Sequence, residues 1–332
     1  MSLLERLVDD GSPFPIQNLP YGVFSHDGDG PRVGVAIGAH VVDLAALEEA
    51  GLLGSTEATL SAGSLNPFLA AGRLVWADVR ARLTDLLAAE TPATVVEQAV
   101  VPVSDVTLHL PFQVADYVDF YSSLHHAQNL GRIFRPEGEP LTPNWRHLPI
   151  GYHGRSGTVV VSGTPIVRPH GQRLLDPADA APTFGPSTRL DIECEVGFVV
   201  GVGTTLGRPV AASALADHVF GVVLLNDWSA RDIQAWETVP LGPFLGKSFA
   251  TSVSPWVVPL DALRSARVTP PPQEPVPLPY LRDDDPWALD LSLSVSLNGE
   301  VLSRPPFAGM YWTPGQQLAH MTVNGASLRT GD

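Results

Sequence analysis

The sequence predicts a mainly β protein with some helices (α+β) in two domains; two observations support the fold class and a third the number of domains. The 32 prolines and 30 glycines, about a fifth of the 332 residues, predict many turns and short strands. Strand-like apolar runs occur at 158–161, 190–200, 219–225 and 289–297. The length corresponds to about two domains of roughly 150 residues each. We place the boundary between residues 110 and 111.

Residues 1–110 read as a small β-rich unit with one or two helices. Segments 21–25 and 32–44 have the composition of strands, and a bend at Gly38-Ala39 makes the second a hairpin. Between residues 66 and 87, apolar side chains recur at helical spacing. This unit holds few side chains of the kind that carry chemistry.

Residues 111–332 have a different character. Aromatic, histidine, arginine and aspartate residues crowd together between 116 and 155. Asn298-Gly299 is a strong hairpin signal at the end of an apolar run. The six prolines between 269 and 279 predict an extended surface loop. We therefore look for a functional site in this second unit.

Composition excludes several classes of protein. With 20 basic and 35 acidic residues the net charge is −15, and no basic cluster is seen, which argues against binding to nucleic acid or to anionic membranes. A single cysteine, Cys194, rules out an internal disulfide and a cysteine-based zinc site. The charged N-terminal segment is unlike a signal peptide, and no apolar stretch approaches the ~18–20 residues of a membrane helix. We expect a cytoplasmic protein.

An acidic strand face is the first candidate for chemistry. Asp191, Glu193 and Glu195 alternate with apolar residues, so the three acids share one face of the predicted strand 190–200. Two glutamates on one strand face repel each other unless a cation lies between them. A metal site and a solvent-exposed acidic face both remain open.

Asp227 lies where a buried strand ends and a helix is predicted to begin. Arg231 and Gln234 follow at steps of four and three residues, so both can share its face. The alternative is that Asp227 caps the helix and forms an ion pair along it.

Lys247 is the only lysine in a chain with 19 arginines. A compact ammonium can polarise a single oxygen, which a guanidinium does less well. Gly246 before it allows close approach of another backbone or of a ligand. The spacing is not that of a phosphate-binding loop. These points favour a functional lysine over a surface charge.

A further candidate is the segment from Asp119 to His126. If it is helical, these two residues lie on one face, and His126 could act as a base beside a cation held by Asp119. A plain aromatic helix is the alternative.

No serine has the nucleophile-elbow setting, which disfavours covalent acyl chemistry. The four carboxylates of Asp119, Glu193, Glu195 and Asp227 suit a hard ion, Mg²⁺ or Ca²⁺. With His126, Arg231 and Lys247 nearby, they indicate metal-assisted attack on an oxygen-rich anion.

Several segments, in this order, resemble the fumarylacetoacetase family. They are the Asp119–His126 segment, PNWRHLPIGYHGR at 143–155, SGTP at 162–165, ECE at 193–195, NDWSARD at 226–232 and PLGPFLGK at 240–247. The E-x-E…D…K skeleton belongs to a wider superfamily. The first two segments are specific to the fumarylacetoacetase branch.

The resemblance implies a role for each matching residue. The family is expected to hydrolyse a C–C bond of 4-fumarylacetoacetate, giving fumarate and acetoacetate in the last step of tyrosine and phenylalanine degradation. The divalent-metal ligands, for Mg²⁺ or Ca²⁺, would be Asp119, Glu193, Glu195 and Asp227. Lys247 and Thr251 match residues lining a second, structural cation site. His126 matches the general base. Residues that bind carbonyl groups or stabilise the leaving group would be Arg231, Gln234 and Lys247. Substrate contacts would be Tyr121, Arg135 and Tyr152.

The family fold implied is a small SH3-like N-terminal barrel followed by a larger mixed β-sandwich roll, paired as a homodimer. The family continues beyond the stretch that matches Arg329–Asp332, so we expect the C-terminal part of the roll to be missing from this sequence. That part would carry a Ser-Gly-Thr segment that contacts substrate and a glutamate that orients the base. Two alternatives remain: another superfamily enzyme, such as an acylpyruvate hydrolase, a 2-oxo acid decarboxylase or a hydratase, and a non-catalytic, cation-stabilised dimerisation protein.

Overall fold

A computed structural model describes residues 3–9, 11–54, 58–176 and 178–332. In the first unit a sheet with strand order β4-β3-β2-β1-β5 is antiparallel throughout. Its strands are β1 (Tyr21–His26), β2 (Arg32–Ile37), β3 (His40–Asp43), β4 (Val100–Pro102) and β5 (Val106–His109). Its helices are α1 (Leu3–Leu7), α2 (Leu44–Glu49), α3 (Asn66–Ala70), α4 (Arg73–Ala88) and α5 (Thr94–Gln98).

Three residues, Gly38, Asp43 and Gly72, determine local structure in this unit. The β2–β3 hairpin turns at Gly38, whose φ of 57° lies in the left-handed region, as the predicted bend requires. The helical stretch predicted from 66 to 87 is divided at Gly72, where φ is 88° and α4 begins. Asp43 caps α2 by accepting a hydrogen bond from the amide of Ala46 at 3.1 Å.

The second unit contains shorter elements. Its strands are β6 (Val118–Phe120), β7 (Gly151–His153), β8 (Val159–Val161), β9 (His170–Arg173), β10 (Thr183–Pro186), β11 (Leu190–Asp191), β12 (Cys194–Val200), β13 (Val219–Asp227), β14 (Ser229–Ala230), β15 (Thr251–Val253), β16 (Val258–Pro259), β17 (Arg267–Val268), β18 (Ala288–Leu289), β19 (Val295–Leu297) and β20 (Glu300–Ser303). Its α-helices are α6 (Leu124–Phe134), α7 (Leu215–His218), α8 (Arg231–Glu237) and α9 (Pro314–Thr322). Strands and helices in both units confirm the α+β prediction.

A sheet with order β12-β13-β15-β8 forms the centre of this unit. Strand β13 pairs antiparallel with β12 and β15, and β15 pairs parallel with β8. The apolar core crosses between the units: Phe220 and Val257 pack in the same cluster as Tyr21, Phe68 and Trp76. The boundary between 110 and 111 stays a prediction.

Two predictions about single segments need correction. The run 190–200 is interrupted at residues 192–193, because β11 pairs with β14 whereas β12 pairs with β13. The run 289–297 is likewise not one strand, because β18 pairs with β17 and β19 with β20. The hairpin at Asn298-Gly299 is confirmed, with positive φ at both residues as a type I′ turn demands. Of the predicted loop 269–279, residues 269–278 have no helix or strand, whereas Pro279 begins a short 3₁₀ helix, Pro279–Leu281.

Candidate active site

Sheet pairing brings three acids together. Glu193 and Asp227 exchange two backbone hydrogen bonds of 3.1 Å, which places them directly opposite each other next to the β12–β13 ladder. Glu195 is two residues further along, so its side chain leaves on the same face as that of Glu193. One oxygen from each of Glu193, Glu195 and Asp227 lies within 4.8 Å of the others. The period-two alternation predicted this proximity for Glu193 and Glu195, whereas Asp191, which the same prediction included, lies on β11 and outside the group of three.

Asp119 reaches the cluster from another direction. It lies in strand β6, opposite Tyr152 of β7, and not in a helix as the spacing to His126 assumed. The helical interpretation is therefore wrong for Asp119: pairing with residues 151–153 makes this segment extended, and α6 begins only at Leu124.

Arg155 is the main site residue that sequence analysis missed. Its side chain is 3% exposed, and one guanidinium nitrogen donates to both Asp119 and Asp227 at 2.7 Å. The other terminal nitrogen donates to the Tyr152 hydroxyl at 2.8 Å, and the group lies 4.5 Å from the centre of the Tyr117 ring. Arg155 is the last residue of the segment 143–155 that resembles the family, but its position in the sequence did not predict its contacts with Asp119 and Asp227.

Lys247 is buried in the same cluster. Its ammonium lies 2.8 Å from Glu193 and 2.5 Å from Asp227. Burial acts to lower the lysine pKa, but the two carboxylates outweigh it and raise the pKa above its usual value. Thr251, opposite Asp227 on β15, donates its hydroxyl to that carboxylate at 3.3 Å. Both residues thus meet at Asp227.

Arg231 completes the charged lining. It lies at the start of α8 and contacts Glu193 and Asp191, each at 2.8 Å. Gln234 accepts a hydrogen bond from Arg231 at 3.2 Å, which joins it to the cluster indirectly. Burial would raise the pKa of Glu193, but Lys247 and Arg231 prevail and lower it to about 2. The helix cap is Ala230, so Asp227 is not the N-cap that the alternative required.

Glu195 differs from the other carboxylates. Among the described residues, no cationic side chain lies within ion-pair distance of it. Burial, followed by repulsion from Asp119 and Asp227, raises its pKa well above the usual value.

Charge and donor chemistry at this cluster fit a divalent cation. Glu193, Glu195 and Asp227 form the group of neighbouring acids, and Asp119 lies outside it, joined to Asp227 through Arg155. When ionised, these four acids carry one negative charge more than the described cations Arg155, Lys247 and Arg231 offset. All donors are oxygens, as Mg²⁺ and Ca²⁺ prefer, and Glu195 supplies the uncompensated one.

His126 faces this cluster from α6. Its Nε2 lies 3.9 Å from Glu193, and its backbone amide donates to the capping side chain of Ser123. Burial lowers the pKa of His126, so the neutral imidazole prevails at pH 7. The helix is anchored by a buried aromatic cluster that includes Trp145, whose indole donates to the Tyr121 carbonyl at 2.9 Å.

A cavity of about 730 Å³ opens over these groups. Site residues in its wall are Tyr117, Asp119, Tyr121, His126, Glu193, Glu195 and Arg231. Its far side is apolar and includes Leu302, Phe307 and Met310. Arg135 lies apart: its guanidinium donates to the Pro140 carbonyl at 2.7 Å and makes no ion pair with a described acid.

Comparison with family models decides the assignment. The model for the C-terminal part of fumarylacetoacetate (FAA) hydrolase matches residues 116–332, and the model for the fumarylacetoacetase N-terminal part matches residues 17–111. The chain belongs to the fumarylacetoacetase family.

Curated relatives agree with this membership. The fumarylacetoacetase of Rattus norvegicus is 49% identical over 340 residues, covering 98% of this chain and 81% of its own. The Homo sapiens protein of the same name is 48% identical over 341 residues with the same coverage. The Arabidopsis thaliana protein is 47% identical over 351 residues, covering all of this chain and 83% of its own.

Solved structures support the fold. A fumarylacetoacetate hydrolase from Exiguobacterium antarcticum has a TM-score of 0.54 at 18% identity, covering 95% of this chain and 84% of its own. A maleylpyruvate hydrolase from a Sphingobium species has a TM-score of 0.55 at 15% identity, with 95% and 86% covered. These two structures share the strand-rich architecture. Within the described residues, no helix combines the length and the apolarity needed to cross a bilayer.

Proposed function

We propose that this chain hydrolyses 4-fumarylacetoacetate to fumarate and acetoacetate, the last step of tyrosine and phenylalanine degradation. The observation that carries the proposal is 47–49% identity to proteins named fumarylacetoacetase across 98–100% of the chain. The acidic cluster beneath a large cavity supports it independently.

The chain would hold a divalent cation, Mg²⁺ or Ca²⁺, through Asp119, Glu193, Glu195 and Asp227. When bound, the ion supplies positive charge for the oxygens of the 1,3-dicarbonyl group. Lys247 and Thr251, which both contact Asp227, would line a second, structural cation site.

His126 is the proposed base. Its neutral ring can take a proton from water while the water oxygen bonds to the carbonyl carbon on the fumaryl side. The C–C bond then breaks, its electron pair leaves on acetoacetate as an enolate, and that enolate takes up one proton. Fumarate and acetoacetate together contain the substrate plus one water.

Positive side chains offset the charge that develops on the leaving group. Lys247 and Arg231 are held in place by Glu193 and are preorganised for this task. Gln234 orients Arg231 through their hydrogen bond. Tyr121, Tyr152 and Arg135 are proposed substrate contacts. For Arg135 this requires that its side chain leave the Pro140 carbonyl. A homodimer and a cytoplasmic location are proposals that rest on sequence alone.

The test is turnover of fumarylacetoacetate by the metal-loaded chain, followed by loss of the substrate's absorbance. His126→Ala should abolish turnover while metal binding persists. The neighbouring His125→Ala, which changes an exposed residue on the same helix, should leave the rate unchanged. Equal rates in the two variants would show that His126 is not the base.

A further inference from the structure

A second cavity, of about 420 Å³, lies between helix α4 and the short 3₁₀ helix Leu260–Ala266. Its lining residues come both from the part of the chain matched by the N-terminal family model and from the part matched by the C-terminal one. Its lining is Tyr21, Arg73, Trp76, Arg80, Ala216, Val219, Phe220, Pro259, Leu260, Asp261, Arg264 and Arg267. It shares no ionisable lining residue with the catalytic cavity in the part of the chain described.

Its charge is opposite to that of the chain as a whole. Four arginines line it, and two carboxylates partly offset them: Arg73 pairs with Asp217 at 2.9 Å and Arg264 with Asp261 at 2.7 Å. Counting these groups gives 4 − 2 = +2, whereas the whole chain carries −15. The positive charge is therefore concentrated here by the fold.

Two of these arginines lack an acidic partner. No carboxylate of the described residues lies within 4 Å of Arg80 or Arg267. Arg80 donates to the Asn18 carbonyl at 3.0 Å, and Arg267 lies 4.3 Å from the centre of the Trp287 ring. Burial lowers the pKa of both, and Arg264 lowers that of Arg267 further. A bound anion would offset the repulsion between the positive charges of Arg264 and Arg267.

Tyr21 provides an independent observation. Its side chain is fully buried, and its hydroxyl has no hydrogen-bond partner. The ring is held by Phe68 and Phe220, each with its centre 5.3 Å away. Burying a hydroxyl without a partner is unfavourable, so such groups normally bind something. Tyr21 lines the cavity together with Arg80 and Asp261.

We propose that this cavity binds a small multivalent oxyanion, such as a phosphate or polycarboxylate group. Guanidinium groups bind such oxygens through paired, charge-assisted hydrogen bonds. The Tyr21 hydroxyl would donate one more hydrogen bond from the cavity floor. Because the lining comes from both parts of the chain, the bound anion ties them together and raises the thermal stability.

The test is titration of the purified full chain by calorimetry, with inorganic phosphate in one arm and citrate in the other. Sodium chloride at matched ionic strength is the control, and thermal unfolding is recorded in parallel. We expect saturable binding of at least one anion with a higher unfolding temperature, and no such effect of chloride. Preference for phosphate would identify a phosphorylated ligand, and preference for citrate a polycarboxylate.

Two variants connect the binding to the cavity. Tyr21→Phe removes only the unpartnered hydroxyl, and Arg267→Gln removes a surface-accessible charge; each should weaken anion binding about tenfold. Arg208→Gln, an exposed arginine outside the lining, should leave affinity unchanged. Hydrolysis of fumarylacetoacetate should be unchanged in Arg267→Gln. Absence of saturable binding, or equal affinity in wild type and Arg267→Gln, would overturn the proposal.

Discussion

Replacement of Glu195 by glutamine should separate metal binding from folding. Without metal, burial and repulsion from neighbouring acids make ionisation of this carboxyl unfavourable and raise its pKa, whereas an amide has nearly the same shape and no charge. Two unit charges 4.8 Å apart repel by about 3.5 kcal/mol at an effective dielectric constant of about 20. The variant removes that repulsion. A group with a raised pKa loses stability as pH rises through that value. At pH 7 the metal-free Glu195→Gln protein should therefore be at least as stable as wild type.

Metal binding should respond in the opposite direction. At the same distance, a doubly charged cation attracts the ionised Glu195 carboxylate with about twice the energy of that repulsion between two unit charges. The free energy of dehydrating the ion must be subtracted from this attraction. We therefore expect affinity for Mg²⁺ or Ca²⁺ to fall by at least about 100-fold, or roughly 2.7 kcal/mol. The wild type should also release more protons on binding than the variant does.

Calorimetric titrations in two buffers of different protonation enthalpy measure both quantities, and urea unfolding of the metal-free proteins supplies the stability. Glu193→Gln is the matched comparison. It breaks contacts with Lys247 and Arg231, so it should destabilise the metal-free protein. If Glu195→Gln bound metal as tightly as wild type, or destabilised the metal-free protein as much as Glu193→Gln, the reasoning would fail.

Three further predictions concern the surrounding cations and the base. In wild type the acidic limb of the kcat/KM profile should lie below pH 6.5, because burial lowers the pKa of His126 and protonation removes the base. In His126→Asn the residual turnover, measured at high enzyme concentration, should lack this limb. Persistence of the limb in the variant would assign it to another group. Lys247→Met should lower the free energy of unfolding by about 3 kcal/mol or more at pH 7, because Glu193 and Asp227 lose a buried partner. Since the pKa of Glu193 is about 2, the stabilising effect of its ionised carboxylate is present above pH ~4.5 and lost as pH falls toward 2. The difference in unfolding free energy between wild type and Lys247→Met should therefore shrink between pH ~4.5 and 2. A difference below about 1 kcal/mol at pH 7 would contradict this role of Lys247. Arg155→Lys keeps the charge but loses the planar guanidinium, in which one nitrogen contacts Asp119 and Asp227 while the other binds the Tyr152 hydroxyl, so metal affinity should fall about 10- to 100-fold in a titration. Unchanged affinity would show that the bridge does not position these ligands.

Local patterns predicted the part of the site that lies on, or next to, the paired strands β12 and β13. Glu193 and Glu195 share a face because strand geometry has a period of two, and Asp227 follows a buried apolar run. The error at Asp119 arose because seven residues fit a helical face, whereas pairing with residues 151–153 decided the local structure. Spacing along the chain cannot reveal such a partner.

Contacts between distant segments could not be predicted from the sequence. Arg155 meets Asp119 and Asp227 only after three separate segments have folded together. The sequence shows no basic cluster, yet the fold places Arg80 and Arg267 around one cavity although they are far apart along the chain. Both features depend on tertiary packing, not on local propensity.

The most direct test of the central claim is product analysis after metal-loaded protein has acted on 4-fumarylacetoacetate. The account predicts fumarate and acetoacetate in equal amounts, loss of turnover after the metal is removed with EDTA, and recovery when Mg²⁺ or Ca²⁺ is returned. Absence of both products from the loaded protein, or an undiminished rate in EDTA, would contradict it.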